Sequence, residues 1–286
     1  FKNLPIILSA SRMTDMPMYY PNEIIGCIEE RLQKGQKIHS LVLWTKHPSS
    51  LINGVLYDYL KFIRTKGVQL FVHLTITGMG GKAFGQTNSG ETFFPEPNVP
   101  DYEKSLEIIS EIIKLTDKEE RIRLRIDPIL KIKDAKNNVW SNEKYFKPII
   151  ETANDSGIKN FTFSFLESGM HAKVDKRFSQ IGYEIISPSI TERIEFQKKI
   201  EQIIFEKKIQ IFSCCVPHLQ ESRCIDGYLL ENLHDFSLST LKKEPKSRTL
   251  CKCTSSVDIG GWPPKQCNSG CFYCYSRPDF KSNFLK

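Results

Sequence analysis

The feature that most constrains this chain is a regular alternation of β-like and helix-like segments from residue 6 to residue 214. Ile6–Ser11, Ser40–Thr45, Gln69–Thr77, Arg121–Ile126, Asn160–Phe165 and Ile209–Cys214 are short apolar runs that read as buried strands. Pro21–Lys34, Leu51–Lys66, Tyr102–Leu115, Asn142–Asn154, Ile190–Lys207 and Asp226–Asn232 carry the helical period, with Gly35 and Gly67 as stop signals. Strands separated by covering helices imply a parallel sheet. Six such units joined by short turns predict an α/β fold, a partial TIM-like (β/α)6 barrel over residues 1–213. Residues 214–286 then form a cysteine-rich segment packed on the barrel mouth. No Gly-rich phosphate loop follows the first strand, which counts against a dinucleotide-binding sheet.

In α/β barrels the chemistry collects at the carboxyl ends of the strands. Polar residues gather there: Ser9 to Asp15, Thr45-Lys46-His47, Thr75 to Thr77, Arg125 to Pro128, Ser164 to Glu167, and Ser213-Cys214-Cys215. Arg12, Asp15 and Lys46 are candidates to grip an anionic or amino ligand group, or else to form a salt-bridge network at the rim. Arg125 and Asp127 are two apart on one strand and share a face, with Ser164 and Glu167 at the equivalent end of the next strand. Asp127-Pro128 reads equally as a simple strand end. Gly78–Pro100 is too long for a plain connection, so a functional or mobile role is expected. His73, alternating within an apolar strand, reads as a core histidine.

The nine cysteines are unevenly placed. Cys27 lies among isoleucines on a helix and reads as packing. The rest are Cys214, Cys215, Cys224, Cys251, Cys253, Cys267, Cys271 and Cys274. A disulfide framework suits small secreted domains, so metal binding is the stronger inference. Cys267-Asn268-Ser269-Gly270-Cys271-Phe272-Tyr273-Cys274 is a C-x3-C-x2-C run with an aromatic before its last cysteine. Three thiolates on one short loop hold three irons of a cubane and leave the fourth open to a small molecule. A zinc knuckle is the competing reading: it needs a fourth ligand, which Cys251 or Cys253 would supply. His218 and His234 lie near the cysteines in sequence and are alternative ligands.

The cysteine run resembles the signature of the radical SAM superfamily. That resemblance implies a redox-active [4Fe-4S] cluster on Cys267, Cys271 and Cys274, with S-adenosylmethionine (SAM) chelated at its open iron. It also implies reductive cleavage of SAM to a deoxyadenosyl radical, which takes a hydrogen atom from a substrate. By the same resemblance Tyr273 lies near the adenine, and Arg12, Lys46, Arg125 and Asp127 are candidate cofactor contacts. Cys214, Cys224, Cys251 and Cys253 would hold a second, auxiliary cluster, with Cys215 the rival of Cys214. Unlike most of the superfamily, this chain carries the motif in its C-terminal part. A bacterial and phage-borne family with that arrangement is similar along nearly the whole chain, through SASRMTDMPMYY, LVLWTKHP, RIDPIL, CIDGYLL and CTSSVDIGGW…CNSGCFYCY. Spore photoproduct lyase is similar more distantly.

A formal charge of +7 admits an anionic partner such as a nucleic acid, and the segment Lys242 to Arg248 beside the cysteine-rich tail carries part of it. Trp262-Pro263-Pro264, Phe93, Phe94 and Tyr275 are candidates either to stack on a base or to pack the tail. The resemblance adds an electron donor such as flavodoxin or ferredoxin. No run approaches a membrane span, so no membrane partner and a cytoplasmic location are expected. A zinc-stabilised nucleic-acid-binding protein and an iron–sulfur electron-transfer protein are the rival readings.

Overall fold

The computed structural model describes residues 4–217, 219, 221–243 and 251–280. In chain order its elements begin β1 (Ile6–Ala10), α1 (Met16–Tyr19), α2 (Pro21–Gln33), β2 (Ile38–Thr45), α3 (Gly54–Thr65) and β3 (Gln69–Thr75). They continue α4 (Tyr102–Glu107), α5 (Ile109–Thr116), β4 (Ile122–Ile129), β5 (Lys131–Asp134), β6 (Val139–Ser141), α6 (Phe146–Asp155) and β7 (Asn160–Phe165). Last come α7 (Ala172–Gln180), β8 (Tyr183–Ile185), α8 (Ile190–Lys207), β9 (Gln210–Ser213), α9 (Gly227–Leu233) and β10 (Val257–Asp258).

Seven strands pair in the order β10-β1-β2-β3-β4-β7-β9, every neighbouring pair parallel. The protein is therefore α/β with a mostly parallel sheet. After β10 the order simply follows the chain, so the sheet has no switch point of the doubly wound kind. The two ends of this order are β10 and β9, and no pairing between them closes a barrel among the described residues.

Alternate residues of each strand face opposite ways, and the two faces differ in chemistry. Leu41, Leu43, Leu70, Val72, Leu74, Ile122, Leu124 and Ile126 point to one side, where α2, α3, α5, α6 and α8 supply Ile24, Ile28, Leu60, Ile63, Ile112, Ile149, Phe196 and Ile200. Cys27 packs against this same layer, as expected. Each such side chain contributes about 1.5–3 kcal/mol through burial. The intervening residues make an inner face that mixes apolar and polar groups: Ile7, Val42, Trp44 and Phe71 beside Ser9, Ser40, Gln69, His73, Arg123, Arg125 and Thr162. Described parts of the chain between Cys214 and β10 cover that inner face. Ile225, Leu230 and Cys253 fill the apolar part, while Gln69 donates to the Leu230 carbonyl and His73 Nε2 meets the Cys224 carbonyl. Then β10 extends the sheet beyond β1, with Leu8 opposite Val257.

Several elements depart from the sequence reading. The fourth strand does not end at Asp127-Pro128; it runs on to Ile129 after a shift of register past Ile126. The expected helix over residues 102–115 is two segments, α4 and α5. A second, antiparallel sheet, β6-β5-β8, escaped because strands of three or four residues show no period. Helix α1 also escaped; Asp15 caps it by accepting from Met18 N, with Pro17 in its first turn. The long loop 78–100 folds back on itself through Phe84–Phe93 backbone bonds and joins the small sheet and α7 in a separate apolar cluster. No described helix is long and apolar enough to cross a membrane.

Candidate metal centre at the carboxyl ends of the sheet

The C-x3-C-x2-C loop lies against the segments that leave the carboxyl ends of β1, β2 and β3. Thr14 Oγ1 donates to the Lys265 carbonyl at 2.9 Å, and Tyr20 OH to the Gln266 carbonyl at 2.7 Å. His47 Nε2 meets Ser269 Oγ at 2.9 Å, inside the cysteine run, and Phe272 N donates to the Pro95 carbonyl at 2.8 Å. On the far side Arg177 of α7 donates to the carbonyls of Phe272 and Cys274. Gly270 has a φ of +64°, a conformation that lets the chain turn between Cys267 and Cys271. Phe272 is buried against Phe93 and Phe178, and Cys271 and Tyr273 are buried beside it in the same cluster.

A buried ionic network lies beneath this loop. Glu96 is 1% exposed and accepts from Lys46 Nζ at 2.7 Å, from Thr77 Oγ1 at 2.6 Å and from Tyr273 OH. Burial opposes the charge on Lys46, but Glu96 and the Cys271 sulfur outweigh it and hold the ammonium pKa above its usual value. Lys46 Nζ also lies 5.5 Å from the centre of the Tyr273 ring. Asp15 accepts from Thr45 Oγ1 at 2.9 Å and from Lys46 N at 2.7 Å, fixing the end of β2. Burial raises its carboxyl above the usual range against the lowering pull of His47 and these donors. Burial likewise pushes the thiols of Cys267, Cys271 and Cys274 up.

The other cysteines gather on the inner face. The Cys214 and Cys224 sulfurs are 3.7 Å apart, and Cys253 and Cys251 join the same cluster. Sulfur contacts with Cys214 and Cys253 draw Cys224 well below the usual thiol range, and Arg125 NH1 reaches its sulfur at 3.0 Å. Cys214 is raised correspondingly by Cys215 and Cys224. Cys214 meets Cys224 and also contacts Cys215, which takes a left-handed φ of +55°.

The cysteines therefore form two groups in different clusters, Cys271 and Cys274 by the small sheet and Cys214, Cys224, Cys251 and Cys253 on the inner face. Among the described residues no three His, Cys, Asp or Glu side chains form a ready chelate for a single ion. The donor set of each group is sulfur, which suits thiophilic metals and iron–sulfur clusters.

Of the expected cofactor contacts, Lys46 and Tyr273 meet at the loop. Arg12 and Arg125 do not; their guanidinium carbons lie 5.8 and 5.0 Å from the centre of Trp44, on the side of Cys253 and Cys224. Asp127 pairs with Arg125 and accepts from Ser164, while Glu167 pairs instead with Arg193. His73 is the buried core histidine expected, stacked on Trp44 at 3.9 Å. His234 packs on His39 at 4.5 Å rather than on any cysteine, and His218 lies outside the described residues. Phe93 packs the tail, Tyr275 stacks on His171, and Trp262 is 83% exposed. Of the basic segment, residues 244–248 also lie outside the described residues. Glu96, Trp44, Ser269 and Arg177 were missed. The signal for Glu96 was a lone acid between two prolines in an over-long loop.

Fold and site together define an α/β protein whose parallel sheet carries one cysteine group at its carboxyl ends and another on its inner face. The chain belongs to the family described as "Domain of unknown function (DUF1848)", whose model matches residues 7–276. No curated protein matches it. Among solved structures, SuiB of Streptococcus suis bound to S-adenosylmethionine is similar at a TM-score of 0.34 and 7% identity, over 81% of this chain and 50% of SuiB.

Proposed function

We propose that the protein is a radical SAM enzyme whose Cys267, Cys271 and Cys274 hold a [4Fe-4S] cluster, with an auxiliary cluster on Cys214, Cys224, Cys251 and Cys253. The observation that carries this reading is the placement of a three-cysteine loop over the buried Lys46–Glu96–Tyr273 network. The strand order, with helices on one face, is the arrangement a partial (β/α)6 barrel requires. When bound, a cubane with one open iron supplies one-electron cleavage of SAM and, through the radical released, hydrogen-atom abstraction.

The chain's own residues do the rest. Arg177, Pro95 and Thr14 hold the loop and the chain before it by the backbone, so the cysteine side chains are not needed to anchor it. Lys46 keeps its charge at the mouth and offers a cation to a carboxylate, while Tyr273 presents a ring beside it for an adenine. Phe93, Phe178 and Phe272 exclude water behind the loop, which protects a radical from side reactions. Flavodoxin or ferredoxin is the proposed electron donor, and the surplus of basic residues suits a nucleic-acid substrate for repair or modification.

The test is protein purified without oxygen, measured for iron and zinc and by EPR of the reduced sample before and after SAM. Four or more irons per chain and a spectrum altered by SAM are expected, with SAM cleavage lost in Cys271→Ala. Stoichiometric zinc without iron, or cleavage retained in Cys271→Ala, overturns the assignment.

A further inference from the structure

The inner face carries a charge arrangement that packing alone does not explain. Arg123 and Arg125 are 3% and 7% exposed, on alternate positions of β4 that both point away from the helices. Arg123 donates to the Arg223 carbonyl at 2.6 Å and lies 3.5 Å from Ser222 Oγ, with no carboxylate bonded to it among the described residues. Arg125 has one carboxylate, Asp127, and spends its other arm on the Cys224 sulfur at 3.0 Å. Two buried guanidinium groups against a single bonded carboxylate leave positive charge to be balanced, and a buried cation without a counter-ion is strongly disfavoured. The sulfurs of Cys224 and Cys253, with the Asp226 carboxylate, are in position to supply that balance at Arg123, and those of Cys224 and Cys214 at Arg125. Trp44 and His73 wall the site with stacked rings and keep its dielectric low.

We propose that Arg125 sets the reduction potential of the cluster held by Cys214, Cys224, Cys251 and Cys253, with Asp127 as the counterweight that trims its effect. The inference rests on the auxiliary-cluster reading above. Hydrogen bonds to the sulfurs and nearby net charge are the levers that tune iron–sulfur potentials. Reduction adds one electron to an anionic cluster, and a guanidinium bonded to a ligand sulfur stabilises that added charge. Asp127 binds the same guanidinium and offsets part of its field, so the two residues act with opposite sign. Arg125 touches the ligand sulfur and no reacting atom of a substrate, so it is a positioning residue.

The test uses the full chain carrying Cys267→Ala, Cys271→Ala and Cys274→Ala, so that iron reports the inner-face group alone. Midpoint potential is read by EPR-monitored redox titration, with iron content measured on every sample. Arg125→Gln should make the cluster about tenfold harder to reduce, a shift of about 59 mV to more negative potential for one electron. Asp127→Asn should shift it in the opposite direction, and Arg125→Lys, which keeps the charge, should recover part of the loss. A merely structural role would lower iron content or broaden the signal without producing shifts of opposite sign. Equal potentials in all variants at unchanged iron overturn the inference and leave the cluster assignment standing. Absence of iron from the triple-alanine parent overturns the cluster assignment itself, and the inference with it. Where Arg125→Gln loses its iron, Asp127→Asn decides: an unchanged potential there overturns the proposal.

Discussion

Replacing Glu96 by Ala perturbs the network beneath the cysteine loop at its centre. Three donors converge on this carboxylate, namely the Lys46 ammonium at 2.7 Å, the Thr77 hydroxyl at 2.6 Å and the Tyr273 hydroxyl. Breaking a buried ion pair from one side costs about 3–5 kcal/mol, because the other charge is left without a partner. The Lys46 side chain is 16% exposed against 1% for Glu96, so it regains some water and the low end of that range applies. Each stranded hydroxyl adds on the order of 1 kcal/mol. The sum is about 5 kcal/mol, or about 10 °C in melting temperature for a chain of this size. Thermal and denaturant unfolding of Glu96→Ala, Lys46→Met and the double variant Lys46→Met/Glu96→Ala would measure it. The two single variants should each lose more than the double, because the double strands no charge. If each single variant costs under about 1 kcal/mol and the costs add, the network is solvated and this account of the site is wrong.

Two further predictions concern other parts of the molecule. Arg177→Ala removes the donors to the Phe272 and Cys274 carbonyls, so amide exchange across residues 271–274 should rise well above that of β2 and β3; unchanged protection there would show the loop held by other contacts. Acid should weaken the fold through His39, whose ring meets Ser40 Oγ and the Leu238 carbonyl and faces His234, Glu231 and Lys242. Burial holds its pKa down at about 4, against 6.5 for the free side chain. The unfolded chain therefore binds this proton first, and the stability is complete above pH 6.5 and lost progressively as pH falls towards 4. Burial lowers His47, His73 and His234 as well, so His39→Gln should reduce the pH dependence of the melting temperature across that window in part, and an unaltered profile would remove His39 as a contributor.

Legibility in the sequence followed length and period. Helix α8, with its Ser189–Glu192 capping box, is read correctly from Ile190 to Lys207 because both signals agree. The six strand–helix units emerge because each apolar run is bounded by a helix-stop or polar end. Strands β5, β6 and β8 are hidden because their stability comes from packing on loop 78–100, a long-range contact with no local signature. The cysteine loop is legible because its three cysteines sit within eight residues. Lys46 could be named, but its partner Glu96 is 50 residues on and nothing local joins them. Arg12 follows the end of β1, as read, whereas Arg125 lies within β4, which runs on to Ile129. Which cysteine group they face depends on the path of the later chain across the sheet, and no pattern in β1 or β4 encodes that path.

One further signal was present in β4 and had structural meaning. A parallel strand covered on both faces usually reads as a continuous apolar run, yet Ile122-Arg123-Leu124-Arg125-Ile126 alternates strictly. The inner face it contributes to is completed by Cys224, Ile225, Leu230 and Cys253, and β10 is the last strand of the sheet to be made. At a synthesis rate of about 5–20 residues per second, roughly ten to fifty seconds separate the emergence of β1 from that of β10. Over that interval β1 is an unpaired edge, and the inner face meets water rather than protein. A greasy surface left waiting so long would recruit other nascent chains, whereas arginines, a histidine and a glutamine on that surface stay wetted until their own chain returns to cover them. The polar face that later surrounds the sulfurs thus serves first as a solubility device for the growing polypeptide.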